Sequence, residues 1–262
     1  MPYICSICNS ITHTFQLSCP DCGQWNSLRK HHGNIIDTAS QPVPLPRIHS
    51  FVVPRIRTRI EQLDILLGGG FVPGSSILII GPPGAGKSTL VMQVLKKMNT
   101  PSLYVTGEES IQQLKIRADR LRIRSDNMLV LFETNVNTVL AHVNQTKLQL
   151  LVIDSIQTMY SSASNALPGS ATQIRKCSYI LRRLAQQRNL ILIIVGQVTK
   201  TKAAAGPKLL EHAVDVVLQL DALDDHAHHR ILNASKNRFG STAPQCMLYM
   251  RKTGLVFQGM KQ

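Results

Sequence analysis

The sequence predicts an α/β protein with a mainly parallel sheet between helices, preceded by a small zinc knuckle. Three observations carry this. A glycine-rich turn, Gly81 to Thr89, stands between an apolar run and a segment of helical spacing. Downstream, apolar runs of strand length alternate with amphipathic stretches, the pattern of a parallel sheet covered on both faces. Two C-x-x-C pairs open the chain.

Cys5 and Cys8, then Cys19 and Cys22, each offer two sulfurs from one tight turn, and two such turns close a tetrahedron around Zn²⁺. Gly23 suits the left-handed position such a turn needs. A segment this short has no core of its own, so the metal supplies its folding free energy. Four sulfurs leave no open position, which makes the zinc structural. His13 reads as a surface residue, and Trp25 is expected to pack against the knuckle rather than stack on a base. The knuckle is assigned to residues 1–28. Residues 29–54, with Pro42, Pro44, Pro46 and Pro54 among small and polar residues, read as a flexible linker that lets the knuckle move. The remaining domain spans 55–262.

That domain begins with Thr58-x-x-Glu61, read as a capping box before a helix with Leu63, Leu66 and Leu67 on its apolar face. Gly68-Gly69-Gly70 stops the helix. Ile77–Ile80 is a strand, and Leu90, Val91, Val94, Leu95 and Met98 mark the helix after the glycine turn. Ser102–Thr106 is a strand, followed by Gly107-Glu108-Glu109 and a helix from Ser110. Its apolar face carries Ile111, Leu114, Ala118 and Leu121; Lys115, Arg117 and Arg120 stand on the other, with Arg122 and Arg124 beyond. Met128–Phe132 and Leu150–Asp154 are strands. A small-residue loop, Ser161–Ala171, precedes a helix with Ile174, Cys177, Leu181 and Leu184 inside and Arg175, Lys176, Arg182 and Arg183 outside. Leu190–Val195 is the next strand, ending at Gly196-Gln197, and Thr199–Gly206 is a second small-residue loop. Strands near Val214–Leu220, Arg230–Ala234, Gln245–Met250 and Leu255–Gln258 complete the chain, the last of them antiparallel. His226, His228 and His229, beside Asp224 and Asp225, fall between two strands and read as a hairpin turn rather than a metal site.

Twenty-nine Lys and Arg against fifteen Asp and Glu leave a net charge of +14. Such an excess favours a polyanionic partner, nucleic acid before a membrane surface. One Trp and few other aromatics argue against a large base-stacking platform. The chain opens without a secretory signal, and its longest apolar run is too short to span a bilayer. A cytoplasmic protein without membrane partners is expected, with paired cysteines used for metal in a reducing compartment.

The chemistry centres on the glycine turn. Gly81, Pro82, Pro83, Gly84, Ala85, Gly86, Lys87, Ser88 and Thr89 match G-x-x-x-x-G-K-[ST] in its required strand–turn–helix context. Glycines there let successive N–H groups face phosphate oxygens beside the positive end of a helix dipole. Lys87 can then reach the β- and γ-phosphates of ATP, and Ser88 can hold Mg²⁺. Asp154, at the end of a buried apolar strand, fits the acid that holds Mg²⁺ through water. Glu108 or Glu109 can supply the carboxylate that orients water, and alternation along an extended chain would let only one face the γ-phosphate. Gln197 ends another strand at the same edge, where it can sense that phosphate. Lys200, Lys202 and Lys208 flank a flexible loop, as sequence-independent phosphate contacts would. The arginine-rich helix faces are equally those of ordinary solvated helices.

CSIC…CPDCGQWNSL, LDILLGGGFVPGS, YVTGEES, LLVIDSIQT, AGPKLLEHAVD and KNRFGST together resemble the bacterial RadA (Sms) family of recombinational repair ATPases. The resemblance extends over nearly the whole chain. It implies a RecA-like P-loop core, a hexameric ring, a RecA-type recombinase as partner, and ATP-driven branch migration on single-stranded or branched DNA. It makes Asp154 the Walker B acid and Glu108 the favoured catalytic carboxylate. Ser161–Ala171 and Thr199–Gly206 then resemble DNA-facing loops, with Arg175 beside the first. Lys236 and Arg238 of KNRFG would stand at a subunit boundary and reach a neighbour's nucleotide. Gln197 stands where the family commonly has His. The sequence resembles a form without the family's C-terminal Lon-protease-like domain. The competing readings are a nucleotide-switched module that binds DNA or a recombinase with little turnover, and a KaiC-like signalling ATPase, which leaves the knuckle and the charge unexplained.

Overall fold

The computed structural model describes residues 3–7, 11–12, 14–21, 23–30, 54–197, 209–223 and 228–261. Three short strands come first: β1 (Tyr3–Cys5), β2 (Ile11–Thr12) and β3 (Leu28–Lys30), paired antiparallel in the order β2-β1-β3. The main domain runs α1 (Glu61–Leu66), β4 (Ser76–Ile80), α2 (Lys87–Met98), β5 (Ser102–Thr106), α3 (Ile111–Arg120), β6 (Met128–Phe132), α4 (Val136–Gln145) and β7 (Leu150–Asp154). A 3-10 turn (Ile156–Thr158) leads to α5 (Ala171–Arg188), β8 (Ile191–Val195), β9 (Val216–Ala222), β10 (His229–Asn237), β11 (Gln245–Arg251) and β12 (Gly254–Lys261).

Among the described residues these strands form a sheet of order β12-β11-β10-β9-β4-β8-β7-β5-β6. From β9 to β6 every pairing is parallel, and β10, β11 and β12 add to β9 antiparallel. The expected mainly parallel sheet with antiparallel final strands is therefore present. Strand side chains alternate between two buried layers, as a period of two requires. Ile77, Ile79, Val152 and Ile193 face one layer with Leu90 and Val94 of α2. Leu78, Ile80, Leu151, Ile153 and Ile194 face the other with Val139 and Leu140 of α4 and Leu181 of α5. Burial pushes the Cys177 and Cys246 thiols up to about 12, so these two cysteines act as packing groups and not as nucleophiles. Among the described residues, no helix is long and apolar enough to cross a membrane.

Five details depart from the sequence reading. The Thr58–Glu61 capping box does not form: Ile60 is the N-cap of α1 and no side chain caps it. Arg59 adopts φ 62°, which takes Thr58 out of register with the helix; Asp64 Oδ1 instead accepts the Thr58 N–H at 2.7 Å. Helix α4 occupies a stretch where the sequence reading places no element. Its signal is present, since Val136, Val139, Leu140 and Val143 follow helical spacing and are all buried, and Asn135 caps it. Trp25 does not pack into the knuckle: it is 65% exposed, while the buried Cys5, Cys19 and Leu28 fill the interior. Finally, the knuckle is seated on the main domain. Asn144 Nδ2 of α4 donates to Ile7 O at 2.9 Å, and Arg183 of α5 lies 3.3 Å from Asp21. Strand β3 also runs to Lys30, past the expected end of the knuckle. Most of the linker lies outside the described residues.

The start of β4 is tied to the strand beside it by one buried carboxylate. Asp215 Oδ2 accepts the Ser76 N–H at 2.9 Å and the Ser76 hydroxyl at 2.7 Å, and Oδ1 accepts from Arg238 at 3.1 Å. Removing it leaves buried donors unsatisfied. Asp215→Ala is expected to lower unfolding free energy by about 1–3 kcal/mol, read from urea denaturation; an unchanged midpoint would show that Ser76 finds other partners.

Candidate nucleotide site

The site forms where β4 delivers the glycine turn into α2. A Cβ on Gly81 would lie 2.2 Å from Leu220 O, so this position admits no side chain. Gly86 caps α2 with φ 105°, and a Cβ there would lie 2.5 Å from Met250 Cε. The turn thus lies against the backbone of β9, with the flexible Met250 side chain of β11 packed on its other side. Lys87 is buried, and its Nζ donates to Gly81 O and Pro82 O at 2.9 Å each. Burial lowers the Lys87 pKa, while the Asp154 and Glu108 carboxylates act in the opposite direction.

Because β4, β5, β7 and β8 are parallel, their carboxyl ends converge. A pocket of about 420 Å³ is lined there by Pro83, Gly84, Gly86, Lys87, Ser88, Thr89, Glu108, Glu109, Asp154 and Gln197. Asp154 pairs in register with Thr106 on one side and Val195 on the other. Glu108 accepts hydrogen bonds from Gln197 Nε2, at 3.2 and 3.1 Å, and from the Ser155 hydroxyl. Glu109 pairs with Arg117. Both acids line the pocket, contrary to the alternation expected of an extended chain. The reason is local: β5 ends at Thr106, whose hydroxyl accepts the Glu109 N–H at 3.1 Å and folds residues 107–109 into a bend.

Sequence reasoning missed Tyr104. It is fully buried, and its hydroxyl donates to Asp154 Oδ2. Burial first, then the Asp154 charge, raises its pKa well above the ordinary tyrosine value, so it stays a donor. The available signal was a lone aromatic in the strand Ser-Leu-Tyr-Val-Thr, on the face that α2 covers. Arg117 and Arg120 were placed on a solvated face, yet both line the pocket. Gln173 was also missed. It is 1% exposed, and its amide donates to Ser161 O, Ser164 O and Ala166 O at 3.2, 3.1 and 2.8 Å, so it shapes the Ser161–Ala171 loop from within. Arg175, two residues further along α5, is exposed. Lys200, Lys202 and Lys208, with the Thr199–Gly206 loop, lie outside the described residues.

Lys236 and Arg238 are not part of this pocket. Asn237 of β10 pairs with Val216, and Val216 with Ile77, which puts KNRFG at the amino-terminal end of the parallel strands. Lys236 Nζ donates to Glu211 O, His212 O and Val214 O at 2.8, 3.1 and 2.8 Å. In the knuckle, Cys5 and Cys19 are buried. The Ile7 N–H points at Cys5 Sγ at 3.4 Å, and the Gly23 N–H donates to Cys19 O at 2.7 Å. An N–H aimed at sulfur, as that of Ile7 is, suits Cys5 as a thiolate ligand for zinc, and the Gly23 bond closes the turn after Cys19 through its carbonyl. Cys8 and Cys22 lie outside the described residues, among which no group of three or more His, Cys, Asp or Glu converges.

Residues 41–203 match a family model described as an AAA domain. The chain is 42% identical over 266 residues to the DNA repair protein RadA of Listeria monocytogenes, and 41% identical over 264 residues to that of Rickettsia typhi. Those alignments cover 97% of this chain but 58% and 59% of the relatives, so the chain spans little more than half their length. Among solved structures, a KaiC-like protein of Pyrococcus horikoshii superimposes with a TM-score of 0.63 at 21% identity, covering 79% of this chain and all of that one. The RadB recombinase gives 0.59 at 22% identity, covering 76% and 98%. The fold is that of a RecA-like P-loop ATPase.

The Tyr104 contact can be tested directly. Tyr104→Phe keeps the ring and removes the donor to Asp154. It is expected to weaken binding of a fluorescent ATP analogue about tenfold in Mg²⁺, the scale of one charge-assisted hydrogen bond of about 1.5 kcal/mol, and to leave binding in EDTA unchanged. Equal weakening in both conditions would mean that Tyr104 serves the fold and not the metal-facing carboxylate.

Proposed function

Because the chain belongs to the AAA domain family and is homologous to RadA over nearly its whole length, we propose that it is an ATP hydrolase acting on DNA in homologous recombination and repair. The observation that carries this reading is the convergence of Lys87, Ser88, Asp154 and Glu108 on one pocket. The amides of the glycine turn and Lys87 hold the phosphates of ATP. Ser88 and Asp154 are the residues that would hold Mg²⁺, which neutralises phosphate charge when bound. Glu108 orients the attacking water and takes its proton. The bond from Gln197 to Glu108 links that carboxylate to the segment leading into Thr199–Gly206, so a shift at the γ-phosphate has a short path to a DNA-facing loop.

Lys236 and Arg238 stand away from their own pocket and are assigned to a neighbour's nucleotide in a hexameric ring, where cations stabilise charge that develops on the phosphoryl group. Single-stranded or branched DNA is the substrate, held through its phosphates by Arg175, Lys200, Lys202 and Lys208. Branch migration is the motion that turnover drives, with a RecA-type recombinase as partner. Cys5, Cys8, Cys19 and Cys22 hold one structural Zn²⁺, whose cross-link stands in for the core the knuckle lacks.

ATP turnover measured with and without single-stranded DNA tests the motor. Stimulation by DNA is expected, with losses of about 10²-fold or more in Lys87→Ala and Glu108→Gln and loss of stimulation in Lys236→Ala. Turnover indifferent to DNA and to Lys236→Ala would replace the motor with a nucleotide-switched binding module. Metal analysis is expected to give one zinc per chain, absent in Cys19→Ser; wild-type protein without zinc would sink the assignment.

A further inference from the structure

A basin of about 840 Å³ opens between the end of α2, the turn from α3 to β6 and the approach to α1. Five of its described lining side chains are cations: Arg59, Lys96, Lys97, Arg122 and Arg124. The single carboxylate among them, Asp119, is already paired with Lys115. The twelve residues of α2 separate the basin from the glycine turn, a span of about 18 Å. This basin is therefore not an extension of the nucleotide pocket.

Ordinary surface chemistry explains part of this charge. Lys96 and Lys97 stand in the last turn of α2, where cations offset the negative end of the helix dipole. Lys96 Nζ also donates to Leu121 O at 2.8 Å. Arg59, Arg122 and Arg124 lie outside the helices, and their side chains make no hydrogen bond or ion pair with another described residue. Two of them hold a backbone conformation that disfavours a side chain: φ is 62° at Arg59 and 53° at Arg122. Arg122 follows the C-cap of α3, with the Ile123 N–H closing onto Ala118 O at 2.9 Å. Glycine is the usual residue at that position. Arginine in the left-handed region twice around one basin is strain retained where a guanidinium is presented.

The scaffold beneath these cations is pinned. Ser125 Oγ donates to Asn99 Oδ1 at 2.7 Å, Asn127 Nδ2 donates to Asn99 O at 3.1 Å, and Ile123 is buried below them. Among the described residues no aromatic side chain lines the basin, so stacking on bases plays no part there. Cations carried on a pinned backbone, without a stacking platform, suit phosphodiester oxygens read without regard to sequence. We propose that this basin is a second nucleic-acid site, which grips the backbone of a DNA segment other than the one assigned to Arg175 and the Lys200–Lys208 loop. The proposal rests on the DNA-acting reading above and adds to it a hold on a second arm of a branched substrate.

The test uses Arg122→Gly combined with Arg124→Ala. The first substitution relieves the left-handed backbone while removing the charge, so the variant is expected to fold, and neither residue belongs to the nucleotide machinery. Binding of labelled single-stranded, duplex and branched oligonucleotides is measured by anisotropy across a salt series, beside ATP turnover without DNA. Expected are an affinity for branched DNA reduced about tenfold, a salt slope lower by about 2, and unchanged basal turnover. Unchanged affinity and slope, in a protein whose wild type binds DNA, would overturn this proposal and leave the DNA-acting reading intact. A wild type that binds none of the oligonucleotides would remove both. Displacement of DNA by low-millimolar inorganic phosphate in the wild type but not in the variant would reassign the basin to free phosphate.

Discussion

The structure depends on the burial of β4. All five of its residues are buried, and its backbone is bonded in parallel to β8 on one side and β9 on the other. A strand so placed has no freedom to slip: a one-residue shift would exchange Ile77 and Ile79 with Leu78 and Ile80 between the two core layers. The turn that follows inherits that rigidity. Gly81 emerges against Leu220 O of the neighbouring β9, and Gly86 against Met250 of β11. The antiparallel extension β9-β10-β11 is thus a wall for the phosphate-binding turn as well as an edge for the sheet.

Parallel pairing then gathers the rest of the chemistry. Strands that run the same way end at the same edge, so Thr106, Asp154 and Val195 fall on one line across β5, β7 and β8. Lys87 is held by two carbonyls and drawn upon by two carboxylates, and Asp154 is oriented by a phenol that burial keeps protonated. Glu108 is held from two directions, by Ser155 next to Asp154 and by Gln197 at the end of β8. A bonded chain from Ser155 through Glu108 to Gln197 therefore spans three strand ends. The opposite end of the sheet has its own organisation. Asp215 joins Ser76 to Arg238, and the carbonyls around residues 211–214 hold Lys236.

Legibility in the sequence followed the range of the interaction. The glycine turn, its strand and its helix were legible because three local signals agree between Ile77 and Met98. The strands 102–106, 150–154 and 191–195 were legible because buried parallel strands read as largely apolar runs. The edge strand 128–132 was legible by the same apolar run, although none of its residues is buried. Helix α4 has the same kind of local signal in Val136, Val139, Leu140 and Val143, although the sequence reading assigns it no element. The Thr58 box fails because Arg59 turns the backbone left-handed, a choice that no capping pattern reveals.

By itself, the sequence determined most of the strands and helices and the strand–glycine turn–helix unit at Gly81–Thr89, since each depends on residues close along the chain. Tertiary structure alone decided that Tyr104 bonds Asp154 and that Ser155 and Gln197 together hold Glu108. It also decided that Lys236 and Arg238 stand at the far end of the sheet from their own glycine turn, and that five cations from three separate segments share one basin. The physical reason is the same in each case. These groups lie from tens to more than a hundred positions apart along the chain, and only the order and register of the strands decide which of them meet.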